Sequence, residues 1–537
     1  MSFNDDKSIN TLHSTNKKKI YEKDSIPVRI EFIRNLLKEK DLNPIVDFDI
    51  TDTEHYIGRD NELDSGDSYD TRVVLKKRIL DFKNVITQIG GKLKYIKSGT
   101  TGHTFKGMAN DANGSFEYAV KVVAYSKKEK YGSINDTRRP ENAELMMIKL
   151  LSYFIVNRQT PHLTIPFGTF NTSIENFVNL VKCDKIDEKN DRYKEFIQRY
   201  ENEEFSSNVS ILISEWANKG DLLDFFRNNY KVFTPRHWKV IIFQILSVLA
   251  IIQSKYPAFR HNDMKANNIL VQKIDKTREN HKYIVVRSLY RVPNIGYHIK
   301  LWDFDFACIP GIVDNIKVES KWTKKINVTP EQNRYYDIHY FFNTLIRKGF
   351  FPQILTDDIV PLEVKEFIDR VVPKKYREGD PHVHEKGRIL TNIEHTTPDF
   401  LLKNDPYFEE FRIKSDNIKE NGQTTNIQNT QNKQNIQKSS NYDLNKLLTS
   451  DNLTIPSAIY TLNKRNTINT PTVTNVTTVE NTNNKKKLKS SKVEKNIDIL
   501  KLLENSSNQH DKEKSTILDQ LDIQLKKATK SIKSKYK

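Results

Sequence analysis

The chain has 537 residues and a mass of 62.8 kDa, with 37 % apolar residues, 29 % charged residues and a formal net charge of +17. That apolar share falls short of the ~45–50 % usual in compact domains, so part of the chain is expected to stay unfolded around roughly two to four folding units. Glycine is too scarce for a collagen-like chain and no heptad pattern is sustained. The two cysteines, Cys183 and Cys308, are too few for a disulfide scaffold or an unaided zinc site and suit a reducing interior.

In chain order, residues 1–24 are polar and are expected to be disordered; they lack the apolar core of a secretory leader. Residues 25–89 form an N-terminal extension in which IEFIRNLL and VVLKKRILDF flank the acidic DNELDSGDSYD, and two short helices are expected there. Residues 90–412 are dense enough in aromatic and β-branched side chains for a core. KLKYIKSG and FEYAVKVVAY read as strands, ENAELMMIKLLSYF as a helix, and LTIPFGTF and VSILISEW as strands. Helices then dominate: DLLDFFRNN, followed by TPRHWKVIIFQILSVLAIIQ with Thr234 as N-cap and Pro235 at the first helical position. The apolar run from Val240 to Ile252 is too short to span a bilayer and contains Gln244, so a buried helix is expected and no transmembrane segment.

A β-rich part followed by an α-rich part is an α+β arrangement of two unequal lobes, 90–217 and 218–412, with a cleft between them. Residues 413–537 turn to Asn, Thr, Gln and Lys and are expected to be disordered, apart from two short amphipathic stretches, IDILKLLE and ILDQLDIQLKKATKSI, suited to folding on a partner. From residue 415 onward, 21 Lys/Arg stand against 12 Asp/Glu. Such a tail suits an acidic or nucleic-acid partner, with simple solubility as the plainer reading.

The densest chemistry lies in HNDMKANNILV, residues 261–271. One loop there bunches a carboxylate (Asp263), a cation (Lys265) and an amide oxygen (Asn268). Phosphoryl transfer needs such groups: one to orient a hydroxyl, a positive charge on the migrating phosphoryl and an oxygen ligand for Mg²⁺. Asp303, ending the apolar strand of HIKLWDFDFA, could supply a second metal ligand. Lys121 interrupts the apolar FEYAVKVV, which is costly without partners, and Glu144 on the next helix is the candidate. Gly99 and Gly102 in SGTTGHTF lie between two strands, where backbone amides could approach phosphates.

At these four points, and in their order over residues 91–410, the chain resembles a eukaryotic-type serine/threonine protein kinase, in the divergent style of poxvirus- and mimivirus-like kinases. The resemblance implies a two-lobed kinase fold that binds ATP and Mg²⁺ and acts on Ser/Thr of protein substrates. It implies that Asp263 orients the substrate hydroxyl, Lys265 contacts the γ-phosphate, and Asn268 and Asp303 hold Mg²⁺. Lys121, positioned by Glu144, would hold the α/β-phosphates. ILISEWANKGDLLDFF resembles the hinge, which places Glu215 and Ala217 at the adenine and Asp221 near the ribose or peptide. YYDIHYFFNTL resembles the central helix with its buried Asp337, and His261 is read as a brace for the catalytic loop. A soluble intracellular protein is expected, in the host cytoplasm or the virion if viral.

The departures are as informative. Lys97 stands where the first loop glycine is usual, Asn262 replaces the arginine that reads a phosphorylated activation loop, and Asp305 replaces the metal-motif glycine. A long basic insertion, KIDKTRENHKYIVVRSLYRVPNIG, lies between Asn268 and Asp303, and no Ala-Pro-Glu motif precedes Asp337; Thr329-Pro330-Glu331 is the nearest candidate. Two other readings therefore stay open: a catalytically silent kinase-fold scaffold, and a phosphotransferase acting on lipid or small molecules.

Overall fold

The computed structural model describes residues 25–46, 48, 69–99, 101–111, 114–180, 190–379 and 381–413. All belong to the first of two units, Met1–Ser439; the second, Ser440–Lys537, lies outside the described residues. The N-terminal 24 residues, most of the basic tail with both amphipathic stretches, most of the acidic loop, and Cys183 lie outside them too.

A five-stranded antiparallel sheet forms the first lobe: β1 Gly91–Ser98, β2 Gly102–Asp111, β3 Gly114–Ser126, β4 Pro166–Ser173 and β5 Phe205–Glu215, in the order β1-β2-β3-β5-β4. The second strand was expected only as a glycine-bearing loop, because GHTFKGMAND has few β-branched residues. Pairing on both edges makes it a strand nonetheless. Among the helices that cover this lobe are α1 Ile26–Leu37, α2 Phe82–Ile89 and α3 Pro140–Val156. Asp81 caps α2 by accepting from Asn84 N, and Gly90 closes it in the left-handed conformation at φ 84°. Nearly every side chain of α3 is buried, as suits a helix covered on more than one side.

The extension is built into this cover. Of VVLKKRILDF, expected to be helical, only the turn Thr71–Val74 and the start of α2 are; between them Ile79 makes a parallel bridge to Asn171 of β4. Lys149 of α3 donates to Val74 O at 2.7 Å.

The second lobe is helical, with α4 Leu222–Asn229, α5 Pro235–Lys255, α6 Tyr336–Leu345, α7 Leu362–Val371 and α8 Pro398–Asn404. Thr234 caps α5 in a reciprocal arrangement with His237. At 21 residues this helix outruns its apolar stretch and is long and apolar enough to cross a membrane, yet its side chains from Val240 to Gln253 are buried inside the fold. It is the core helix. A two-stranded ribbon, β6 Ile269–Lys273 with β9 Tyr297–Leu301, sets the strand that follows the 261–268 loop beside the strand before Asp303.

The basic insertion between them is a second ribbon, β7 Asn280–Val285 and β8 Ser288–Pro293. It docks on the core: Tyr283 stacks on His162 at 5.6 Å, and Tyr290 meets Phe243 of α5 edge-on at 5.2 Å.

Candidate active site

Lys121 lies on the central strand β3, flanked in register by Thr104 of β2 and Leu212 of β5. Its ammonium donates to Glu144 Oε1 at 2.6 Å and to Asp303 Oδ1 at 2.9 Å. Glu144 reaches it from the second turn of α3, and Asp303 from the chain leaving β9. One bond thus ties sheet to helix and the other ties the first lobe to the second. Burial opposes the Lys121 charge, but the Asp303 and Glu144 carboxylates outweigh it and raise the pKa, so the lysine stays cationic. Burial likewise pushes the Asp303 carboxyl up; Lys121 outweighs that, Lys265 acts the same way, and the carboxyl falls to about 2. Asp303 sits at φ 64°, a left-handed conformation that Asp tolerates better than most residues.

The catalytic-loop candidate is held by its backbone. The buried Asp337 carboxylate on α6 accepts from His261 N at 2.7 Å and Asn262 N at 2.9 Å, and His261 Nε2 pairs with Trp302 O at 2.9 Å. His261 thus braces the loop against the segment bearing Asp303. Asn262, at φ 63°, turns its amide inward to Phe306 O at 3.1 Å and Thr329 O at 3.4 Å.

Asp263 is well supplied with partners. Its Oδ2 accepts from Asn268 Nδ2 at 2.9 Å and pairs with Lys265 Nζ at 3.0 Å. Its Oδ1 accepts from Arg388 at 2.5 Å, a residue that sequence reasoning missed, since no local motif marks an arginine 125 positions away.

Other expected residues are turned to different work. Gly99 N donates to Gly102 O at 2.8 Å, closing the β1–β2 turn. A Cβ on Gly102 would lie 1.8 Å from Val122 O, so glycine is required there by the approach of β3, whatever the loop binds. The Glu215 carboxylate faces the extension: Arg29 of α1 forms a two-nitrogen pair with it, both bonds at 2.6 Å. The same carboxylate accepts from Ile165 N at 2.8 Å, and the Glu215 amide donates to Ile165 O at 3.1 Å. Ala217 is buried just beyond it. Asp221 caps α4 by accepting from Asp224 N at 3.0 Å. Ser214 is small and buried in β5, between Ala119 and Pro166.

The oxygen donors fit a hard divalent cation. Asn268 gives its amide nitrogen to Asp263, which leaves its carbonyl oxygen for another partner, and Asp303 supplies a carboxylate. Among the described residues no group of three or more His, Cys, Asp or Glu side chains could hold a metal. One carboxylate and one amide oxygen completed by substrate phosphates is the usual donor set for Mg²⁺.

Residues 133–404 match the poxvirus serine/threonine protein kinase family. An Acanthamoeba polyphaga mimivirus protein, named a "Putative serine/threonine-protein kinase", is 48 % identical over 416 residues, 76 % of this chain and 85 % of the relative. A second mimivirus protein with the same style of name is 28 % identical over 188 residues, 32 % of this chain and 47 % of that protein. A β-sheet lobe joined to a helical lobe by the Lys121–Asp303 contact, and carrying this match, is that of a member of the poxvirus serine/threonine protein kinase family.

Proposed function

We propose that this kinase transfers the γ-phosphoryl group of ATP, with Mg²⁺, to Ser or Thr hydroxyls of proteins. The observation that carries the reading is the convergence of Lys121, Glu144 and Asp303, drawn from three separate elements, beside a loop whose Asp263, Lys265 and Asn268 already contact one another. Lys121, held by Glu144, presents a fixed cation to the α/β-phosphates. Asp263 orients the acceptor hydroxyl and takes its proton, while Lys265 faces the negative charge of the migrating phosphoryl. Mg²⁺, when bound through Asn268 and Asp303 oxygens, supplies charge neutralisation on the phosphates. The work of these side chains is positioning and electrostatic complementarity, not covalent chemistry.

The same geometry supports independence from activation-loop phosphorylation. Asn262 is buried and bonded to main-chain oxygens, so position 262 offers no cation for a phosphate to engage. The test is label transfer from γ-labelled ATP by the purified full chain. It uses protein, lipid and small-molecule acceptors in parallel, phosphoamino-acid analysis of the product, and Lys121→Met as control. Phosphoserine or phosphothreonine made by the wild type alone is the expected result. ATP binding without turnover would point to a scaffold, and labelled lipid or small molecules to a non-protein phosphotransferase.

A further inference from the structure

Arg388 approaches the proposed catalytic base from a loop late in the second lobe, and that loop is fixed on both sides of it. Asn343 Nδ2 donates to Gly387 O at 2.8 Å and Asn327 Nδ2 to Ile389 O at 2.9 Å. Val383 and Ile389 bridge across the loop, and His384 N donates to Arg388 O at 2.8 Å. The side chain is 8 % exposed. Its guanidinium carbon lies 4.0 Å from the Tyr340 ring centroid; Nη1 donates to Tyr336 Oη at 2.9 Å and also to Asn262 O, and Nη2 donates to Asp263 Oδ1 at 2.5 Å. One planar fork therefore holds both the main-chain carbonyl of residue 262 and the side-chain carboxylate of residue 263. A lysine's single ammonium on a flexible stem does not reproduce that fork.

We propose that Arg388 is a positioning residue for phosphoryl transfer. It fixes the orientation of Asp263 through Oδ1, so that Oδ2, shared with Lys265 and Asn268, is presented to the acceptor hydroxyl. The proposal rests on Asp263 being the hydroxyl-orienting group. Arg388 is not a latch over the site: a latch must leave, and a buried guanidinium with four partners on a doubly anchored loop leaves only by stranding the Asp263 charge.

The experiment is steady-state transfer by the full chain, comparing wild type, Arg388→Ala, Arg388→Lys and Tyr336→Phe. Arg388→Ala is expected to lower kcat about 10²-fold, the scale of a misplaced catalytic group, with KM for ATP within about twofold. Arg388→Lys recovers little of this. Guanidinium chloride at millimolar, non-denaturing concentration restores part of kcat in Arg388→Ala and nothing in Asp263→Asn. Tyr336→Phe, which removes only the hydroxyl that steers the fork, lowers kcat several-fold and keeps the proposal testable if the Arg388 variants fail to fold. Unchanged kcat in Arg388→Ala or in Tyr336→Phe would reduce Arg388 to a structural brace, and a raised kcat would make it a latch; either overturns the proposal. An active wild type with these outcomes removes only the role of Arg388, whereas a wild type that binds ATP and transfers nothing removes the kinase reading and this proposal with it.

Discussion

The cleft and the cover wrapped around it carry their information in different forms. In the cleft, Asp263, Lys265 and Asn268 fall within six residues, Lys121 interrupts an apolar strand and Asp303 closely follows one. Their chemistry is local to short runs of sequence. The cover acts through single side chains far from what they touch. Arg29 of α1 neutralises Glu215 at the end of β5. Lys77, buried, donates to Tyr125 Oη at 2.6 Å, Ser210 Oγ at 2.8 Å and Asn142 Oδ1 at 3.2 Å, joining β3, β5 and α3 at one ammonium. Since α3 carries Glu144, the placement of the lysine–glutamate pair depends on residues that no site motif contains. The lesson is that the chemistry is written in motifs, and the geometry that makes it usable is written in isolated tertiary contacts.

Substitutions on the two sides should therefore behave differently. The largest effect is expected in the cleft. Lys121→Met or Asp303→Asn should lower kcat by about 10²–10⁴-fold, the scale of losing an electrostatic or proton-transfer group, with folding retained in circular dichroism; a loss under tenfold would break the comparison. On the cover, Arg29→Ala should destabilise the fold by about 1–3 kcal/mol, because Glu215 keeps its burial and loses its partner, as read by urea unfolding.

A further expected effect is a pH signature of Lys77. Burial, the largest influence, lowers its pKa from the ordinary 10.5 to about 7, with Glu141 opposing and Arg139 reinforcing that shift. Folding thus lowers a base's pKa, so between about 7 and 10.5 the unfolded chain binds more protons than the folded one. This contribution to stability is absent below pH 7, grows as pH rises through that window, and is level above it. Melting temperature measured from pH 7 to 10 should rise more steeply in the wild type than in Lys77→Met; parallel curves would remove Lys77 from the account.

The same division governs what could be read before the structure. Strands β1, β3, β4 and β5 and helices α3, α4 and α5 follow from apolar periodicity and from the Thr234–Pro235 start. The ribbon in the basic insertion did not announce itself. Its two turn residues, Val286 and Arg287, both have positive φ, at 45° and 68°, where hairpins usually show Asn-Gly, so the turn carries no sequence signal. Gly102 was legible as a special position but for a different reason, the approach of Val122 O. Glu215 was expected at the adenine as part of the hinge; that its carboxylate pairs with Arg29 was not legible, because a buried charge takes the partner that the fold brings within reach. Arg388 could not have been found from spacing, since only the fold brings it to Asp263.

The central claim is that Asp263 works on the acceptor hydroxyl within a cleft assembled by Lys121, Glu144 and Asp303. Its most direct test is transfer of labelled phosphate from ATP to protein by wild type and Asp263→Asn, with ATP affinity measured alongside. The account predicts similar ATP binding by both and transfer slower by about 10²–10⁴-fold in the variant. Equal labelling by the two proteins would contradict it.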